Sequence, residues 1–137
     1  DMKDFLAMAK SGRVYLFGDG NHKLNPIHGA DLAKVVVDAV ADKQLEIEVV
    51  GPDIFTQNEI ASLALEAWGH PKKIVHLSDW IRKITICLMK KLTSVKTYGP
   101  YEFFLTSMGQ DNLAPRFGIH RLKSFYRSEI DSIHNRV

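Results

Sequence analysis

Along this chain the apolar residues keep changing period, and that change restricts the fold more than any other feature. Val14 to Phe17 is a short apolar run of strand type. In residues 29–41, by contrast, Leu32, Val36 and Val40 recur at helical spacing beside Ala33 and Val37, with Asp31, Lys34 and Asp38 opposite. The spacing predicts a helix that buries its valine face. Residues 47–50 read as another short strand closed by Gly51-Pro52, and Thr56-Gln-Asn-Glu59 is a capping box opening a helix that buries Ile60, Leu63, Ala64, Ala67 and Trp68 and stops at Gly69. A third strand over residues 73–77 leads into Ser78-Asp79, a cap for a helix over residues 80–92, from Trp80 to Leu92. Strands alternating with helices indicate an α/β fold, helix-rich, with three or four short strands.

The flanks extend the pattern. Phe5, Met8 and Ala9 share one face of an opening helix that Gly12 ends. Pro100 suits the first turn of a helix bearing Tyr101, Phe104, Leu105 and Met108, and residues 121–134 form a last helix with Leu122, Phe125, Tyr126, Ile130 and Ile133 inward. With 137 residues the chain is a single domain's worth, long enough to bury roughly two thirds of its unfolded surface. So little sheet for so many helices implies that part of the sheet is supplied from outside these residues. The opening helix, already under way at Phe5, is read as entered partway along a longer chain.

Bulk charge excludes some function classes. Eighteen basic and sixteen acidic residues leave a net charge of +2, too even to mark nucleic acid or an acidic membrane as the partner of the chain as a whole. The single Cys87 excludes an internal disulfide and multi-cysteine metal patterns, and makes a reducing, cytoplasmic setting the default. The most apolar run, residues 84–89, is far shorter than the roughly 18 residues that cross a bilayer.

The stretch from Gly18 to Ala33 is where chemistry is expected. Gly18-Asp-Gly-Asn is a turn signal, and a hairpin-like reversal from the strand at 14–17 to the apolar step Pro26-Ile27 is the economical reading. A dinucleotide loop would need a third glycine where Lys23 stands and a helix directly after it. His22, His28 and Asp31 are metal-ligand types, but the intervening loop sets no tetrahedral spacing, and His70, His76, His120 and His134 form no paired motif. Asp31 is better placed as a first-turn carboxylate on the positive end of a helix. Cys87 reads as a buried, inert thiol. Its helix, with Arg82-Lys83 before and Lys90-Lys91 after an apolar centre, packs in the core or rests on a membrane or partner.

Taken together, Arg13-Val-Tyr-Leu-Phe-Gly-Asp-Gly-Asn-His-Lys-Leu-Asn-Pro-Ile-His-Gly-Ala-Asp-Leu-Ala33, then Val49-Val-Gly-Pro-Asp-Ile-Phe-Thr-Gln-Asn-Glu-Ile-Ala61, and Asn112-Leu-Ala-Pro-Arg-Phe-Gly-Ile-His-Arg-Leu122 resemble the C-terminal half of extended and atypical short-chain dehydrogenase/reductases, nearest the NmrA-like NAD(P)-binding epimerase/dehydratase branch. The resemblance spans nearly the whole chain and implies a substrate-binding lobe over residues 1–137. The Rossmann half, with its Gly-x-x-Gly-x-x-Gly loop for NAD(P) and its catalytic Tyr-x-x-x-Lys pair, would then lie outside it. The residues four beyond Tyr15, Tyr98, Tyr101 and Tyr126 are Asp19, Glu102, Leu105 and Ile130, so no such pair occurs here. By resemblance, Phe17, Leu24, Asn25, Pro26 and His28 face a small-molecule substrate, and the chain itself holds no catalytic, cofactor-binding or metal-binding residue. Leu24 stands where sugar-nucleotide epimerases of the family commonly carry a phosphate-binding Arg, which argues against a sugar nucleotide; Lys23 beside it lacks the planar fork. The branch also includes non-catalytic redox sensors, and a self-contained interaction module using the 80–92 face is a third reading.

Overall fold

In the computed structural model, residues 2–43, 46–107, 109–111 and 113–135 are described. Their elements are α1 (Met2–Lys10), β1 (Val14–Phe17), β2 (Lys23–Leu24), α2 (Gly29–Ala41), β3 (Phe55–Thr56), α3 (Gln57–Ala67), β4 (Ile74–Leu77), α4 (Asp79–Leu92), α5 (Val95–Ser107) and α6 (Leu122–His134). The chain is α/β, helix-rich, with short strands.

The core forms where α1, α3 and α6 meet β1. Phe5, Leu6 and Ala9 of α1, Val14 and Leu16 of β1, Ile60, Ala61, Ala64 and Leu65 of α3, and Leu122, Tyr126 and Ile130 of α6 make one buried cluster. Helical spacing places each set on one face of its element, so three amphipathic stripes close over one strand. Trp68, at the end of α3, packs on the cluster and donates its indole N–H to the Leu6 carbonyl at 2.9 Å. The capping box forms as the sequence predicts: Thr56 Oγ1 accepts from Glu59 N, while Glu59 Oε2 accepts from Thr56 N at 2.7 Å. Gly12 and Gly69 follow their helices with positive φ.

Strand pairing departs from expectation. β1 pairs in parallel with β4, Val14 opposite Ile74 through Phe17 opposite Leu77, and β2 pairs antiparallel with β3, Lys23 opposite Thr56 and Leu24 opposite Phe55. The expected reversal onto Pro26-Ile27 is therefore absent. The turn at residues 18–21 is fastened instead to the start of α3, where Asn58 donates its side-chain amide to the Asp19 carbonyl at 2.9 Å and its backbone N–H to the Gly20 carbonyl at 3.1 Å. That anchor carries the chain away from β1 and lays β2 along β3. Residues 47–50 do not form the expected strand: only Val50 makes a bridge, to Arg116, because the segment opposite is extended there for a single pair.

Four helices also differ. α2 has the expected bounds, but Asp31 and Ala39 are its buried residues, while Leu32, Val36, Val37 and Val40 stand in solvent, Val40 at 73% exposure. The helix sits on the row 31, 35, 39 because Asp31 is held by the chain at 119–120, which turns the valine face outward. α4 buries none of its residues and Cys87 is exposed, since the helix leans mainly on α5; Ser78 precedes it without a capping bond from its side chain. α5 begins at Val95, so Pro100 is interior and removes one helical hydrogen bond, to Lys96, instead of opening the helix. Leu105 is buried as expected, whereas Met108 lies outside the described residues. In α6, Ile133 is exposed in the last turn while Leu122, Tyr126 and Ile130 face inward.

Candidate functional site

The start of α2 meets the loop before α6, and a cleft opens between them. His28 is the N-cap of α2, extended at φ −75° and ψ 141°, and its Nδ1 accepts the backbone N–H of Ala30 at 3.2 Å. An Nδ1 that accepts is unprotonated, which leaves the proton on Nε2 and makes that nitrogen a donor.

One turn further, Asp31 reaches across to the other segment. Its Oδ2 accepts the backbone N–H groups of Ile119 at 3.0 Å and His120 at 3.1 Å, and its Oδ1 accepts His120 Nδ1–H at 2.7 Å. Asp31 is only 6% exposed. Burial pushes its proton affinity up, yet the hydrogen bonds from His120 and Ile119 outweigh burial and hold the carboxyl below its usual range. Gly118, at φ +94°, is required beside it: a Cβ there would run into the Asp31 carboxylate.

The clasp presents His120 to the cleft. Its ring stacks on that of His28, centroids 4.4 Å apart and planes 19° apart, and Phe125 meets His28 edge-on at 5.7 Å. With Nδ1 donating to Asp31, a neutral His120 ring keeps Nε2 as an acceptor. The stacked pair therefore carries one donor and one acceptor nitrogen, the complement of a hydroxyl group. The cleft has a volume of about 310 Å³ and is walled by Pro26, Ile27, His28, His120, Arg121 and Phe125. Lys3, also on its wall, pairs with Glu129 at 3.0 Å, and Arg121 is bonded to Asp53, so two guanidinium and ammonium groups stand at its rim already oriented.

Of the residues predicted to face substrate, Pro26 and His28 line this cleft and Phe17, Leu24 and Asn25 do not. Phe17 ends β1 opposite Leu77. Leu24 packs against the core, and Asn25 is buried, its side-chain amide donating to the carbonyls of Gly51 at 3.3 Å and Ala114 at 3.4 Å. Phe17 lies on a different strand from Leu24, and the chain passes through the core at Leu24 and Asn25 before it reaches the cleft at Pro26. His120, Arg121 and Phe125 were invisible to sequence reasoning: they lie about ninety residues from His28, and nothing local ties them to it. His22 points elsewhere, its ring 3.3 Å from Asp111. Among the described residues, no group of three or more His, Cys, Asp or Glu side chains converges to hold a metal ion, and no helix is long and apolar enough to cross a membrane. Comparison with known proteins matched no family model and no curated protein.

Proposed function

We propose that this chain is the substrate-side lobe of an NAD(P)-dependent atypical short-chain dehydrogenase/reductase of epimerase/dehydratase type, inactive alone. Two observations carry the reading: the valine face of α2 points outward, and the parallel pair β1 and β4 has no further strand partner at its outer edges among the described residues. A parallel pair is stable when a larger sheet and its covering helices bury it, so both features fit a lobe that docks against further strands and helices. The resemblance of residues 13–33, 49–61 and 112–122 to that family supplies the identity of the absent half.

In this reading NAD(P) and the residues that transfer hydride belong to the other half, and this lobe positions the substrate. His28 Nε2–H would donate to the oxygen of a substrate hydroxyl and His120 Nε2 would accept its proton, with Pro26 and Phe125 as apolar walls. Calorimetric titration of the chain with NADH and NADPH is expected to give no measurable heat, because no Gly-x-x-Gly-x-x-Gly loop occurs in it. Micromolar binding by the chain alone would overturn the proposal. So would coding sequence ahead of Asp1 that lacks a glycine loop; a loop present without Tyr-x-x-x-Lys would move the assignment to the redox-sensing members of the same branch.

A further inference from the structure

The even net charge conceals a local imbalance. Between residues 79 and 96, Arg82, Lys83, Lys90, Lys91 and Lys96 face Asp79 alone, so this segment carries more positive charge than the whole chain's +2. It folds as α4 and the start of α5, an antiparallel hairpin fixed by Arg82 donating to the Leu105 carbonyl at 3.1 Å and by an ion pair between Lys90 and Glu102.

On α4 the outward arc carries both chemistries. Trp80, Ile84 and Leu88 recur at i, i+4 and i+8 and are all exposed, Trp80 at 61%. Lys91 is exposed on the same arc and Lys83 at its edge, while Lys90 turns to Glu102 of α5. The inward arc is Ile81, Arg82, Thr85, Ile86 and Met89, all partly covered. The connection adds Leu92 and Val95, both exposed, and α5 adds Phe103 at 77% exposure. An outward row of Trp, Ile and Leu edged by lysines is the arrangement of a helix lying in the plane of a bilayer surface.

We infer that the α4–α5 hairpin docks on an anionic lipid surface. Charge complementarity selects this occupant over a protein: the buried centre of a protein interface is depleted in lysine, whereas here Lys91 stands exposed in the apolar row itself, Lys83 edges it while pairing with Asp79 at 3.3 Å, and the segment keeps a net positive charge. The valine face of α2 is the contrast. It has one lysine, Lys34, against Asp31 and Asp38, and suits a neutral partner surface. The inference stands on α4 and α5 alone, independent of the cleft and of the proposed parent enzyme.

Co-sedimentation of the chain with vesicles decides the matter. Binding is expected to vesicles of phosphatidylcholine mixed with phosphatidylserine, not to phosphatidylcholine alone, and to weaken as salt rises from roughly 0.1 M to about 1 M. Replacing Lys83 and Lys91 by Gln is expected to lower partitioning about 30-fold, from about 1 kcal/mol for each lysine at the surface. Trp80→Ser with Leu88→Ser should lower it by at least about tenfold, and neither pair should shift the melting curve, since none of the four side chains is buried. The inference fails if the unaltered chain ignores the serine-lipid vesicles, or if binding survives both pairs of substitutions. It also fails if, without vesicles, the Trp80/Leu88 pair converts a dimer into a monomer by sedimentation velocity, because the occupant is then a second copy.

Discussion

At the residue scale Asp31 joins the two segments that wall the cleft, and its titration reports on that join. Its carboxyl binds a proton less readily folded than unfolded, so the stability it contributes is complete above the unfolded pKa, about 4, and is lost as pH falls through the lower folded value. Asp19, Glu59, Asp79 and Asp111 shift in the same direction, so the measurement is a difference. Asp31→Asn is expected to lower the thermal midpoint at neutral pH and to make its decline below about pH 4 shallower than the parent's; parallel declines would remove Asp31 from the account. Gly118→Ala, which combines a left-handed φ with a Cβ directed at that carboxylate, should cost about 1–3 kcal/mol in urea unfolding. Tyr126 gives the opposite expectation. Its hydroxyl is buried without a hydrogen-bond partner among the described residues and burial pushes its pKa up, so Tyr126→Phe should be neutral or stabilise by up to about 1 kcal/mol. A loss larger than that would mean the hydroxyl has a partner.

At the element scale the helix boundaries were legible except at α5, which begins at Val95 and not at Pro100, and the orientations were only partly so. The capping box of α3 is read correctly from four residues because its bonds close within one turn, and Thr56→Ala should cost about 1 kcal/mol by the same measurement. For α2 the apolar spacing gave the bounds, yet the assumption that valines face inward failed. Packing on Asp31, Val35 and Ala39 is set by residues 118–120, which leaves the valine face exposed. Val37→Gln should accordingly change stability by less than about 0.5 kcal/mol, since it removes little packed surface. α4 failed for a related reason: an apolar centre between charged ends is the pattern of a core helix and of a surface-docking one alike, and sequence offers no way to tell which neighbours will arrive.

At the scale of the whole molecule, open strand edges beside β1 and β4 and the bare valine face should make the chain self-associate. Sedimentation at rising concentration is expected to show oligomers that Val36→Gln with Val40→Gln reduces; a strict monomer throughout would argue that the faces are closed in solution. The cleft belongs to this scale too. Pro26 and His28 were within reach of sequence reasoning, whereas His120, Arg121 and Phe125 were not, since the wall they form exists only after α6 has packed on α3.

The sequence by itself determined where the helices other than α5 run, where Gly12 and Gly69 end two of them and how Thr56 opens α3, because those bonds link residues within a turn of one another. Tertiary structure alone decided that β1 lies beside β4, that Asp31 clasps His120 and that the valines of α2 face outward. Each of those outcomes depends on groups sixty to ninety residues apart, whose meeting is set by how the whole core closes and not by any local preference of the chain.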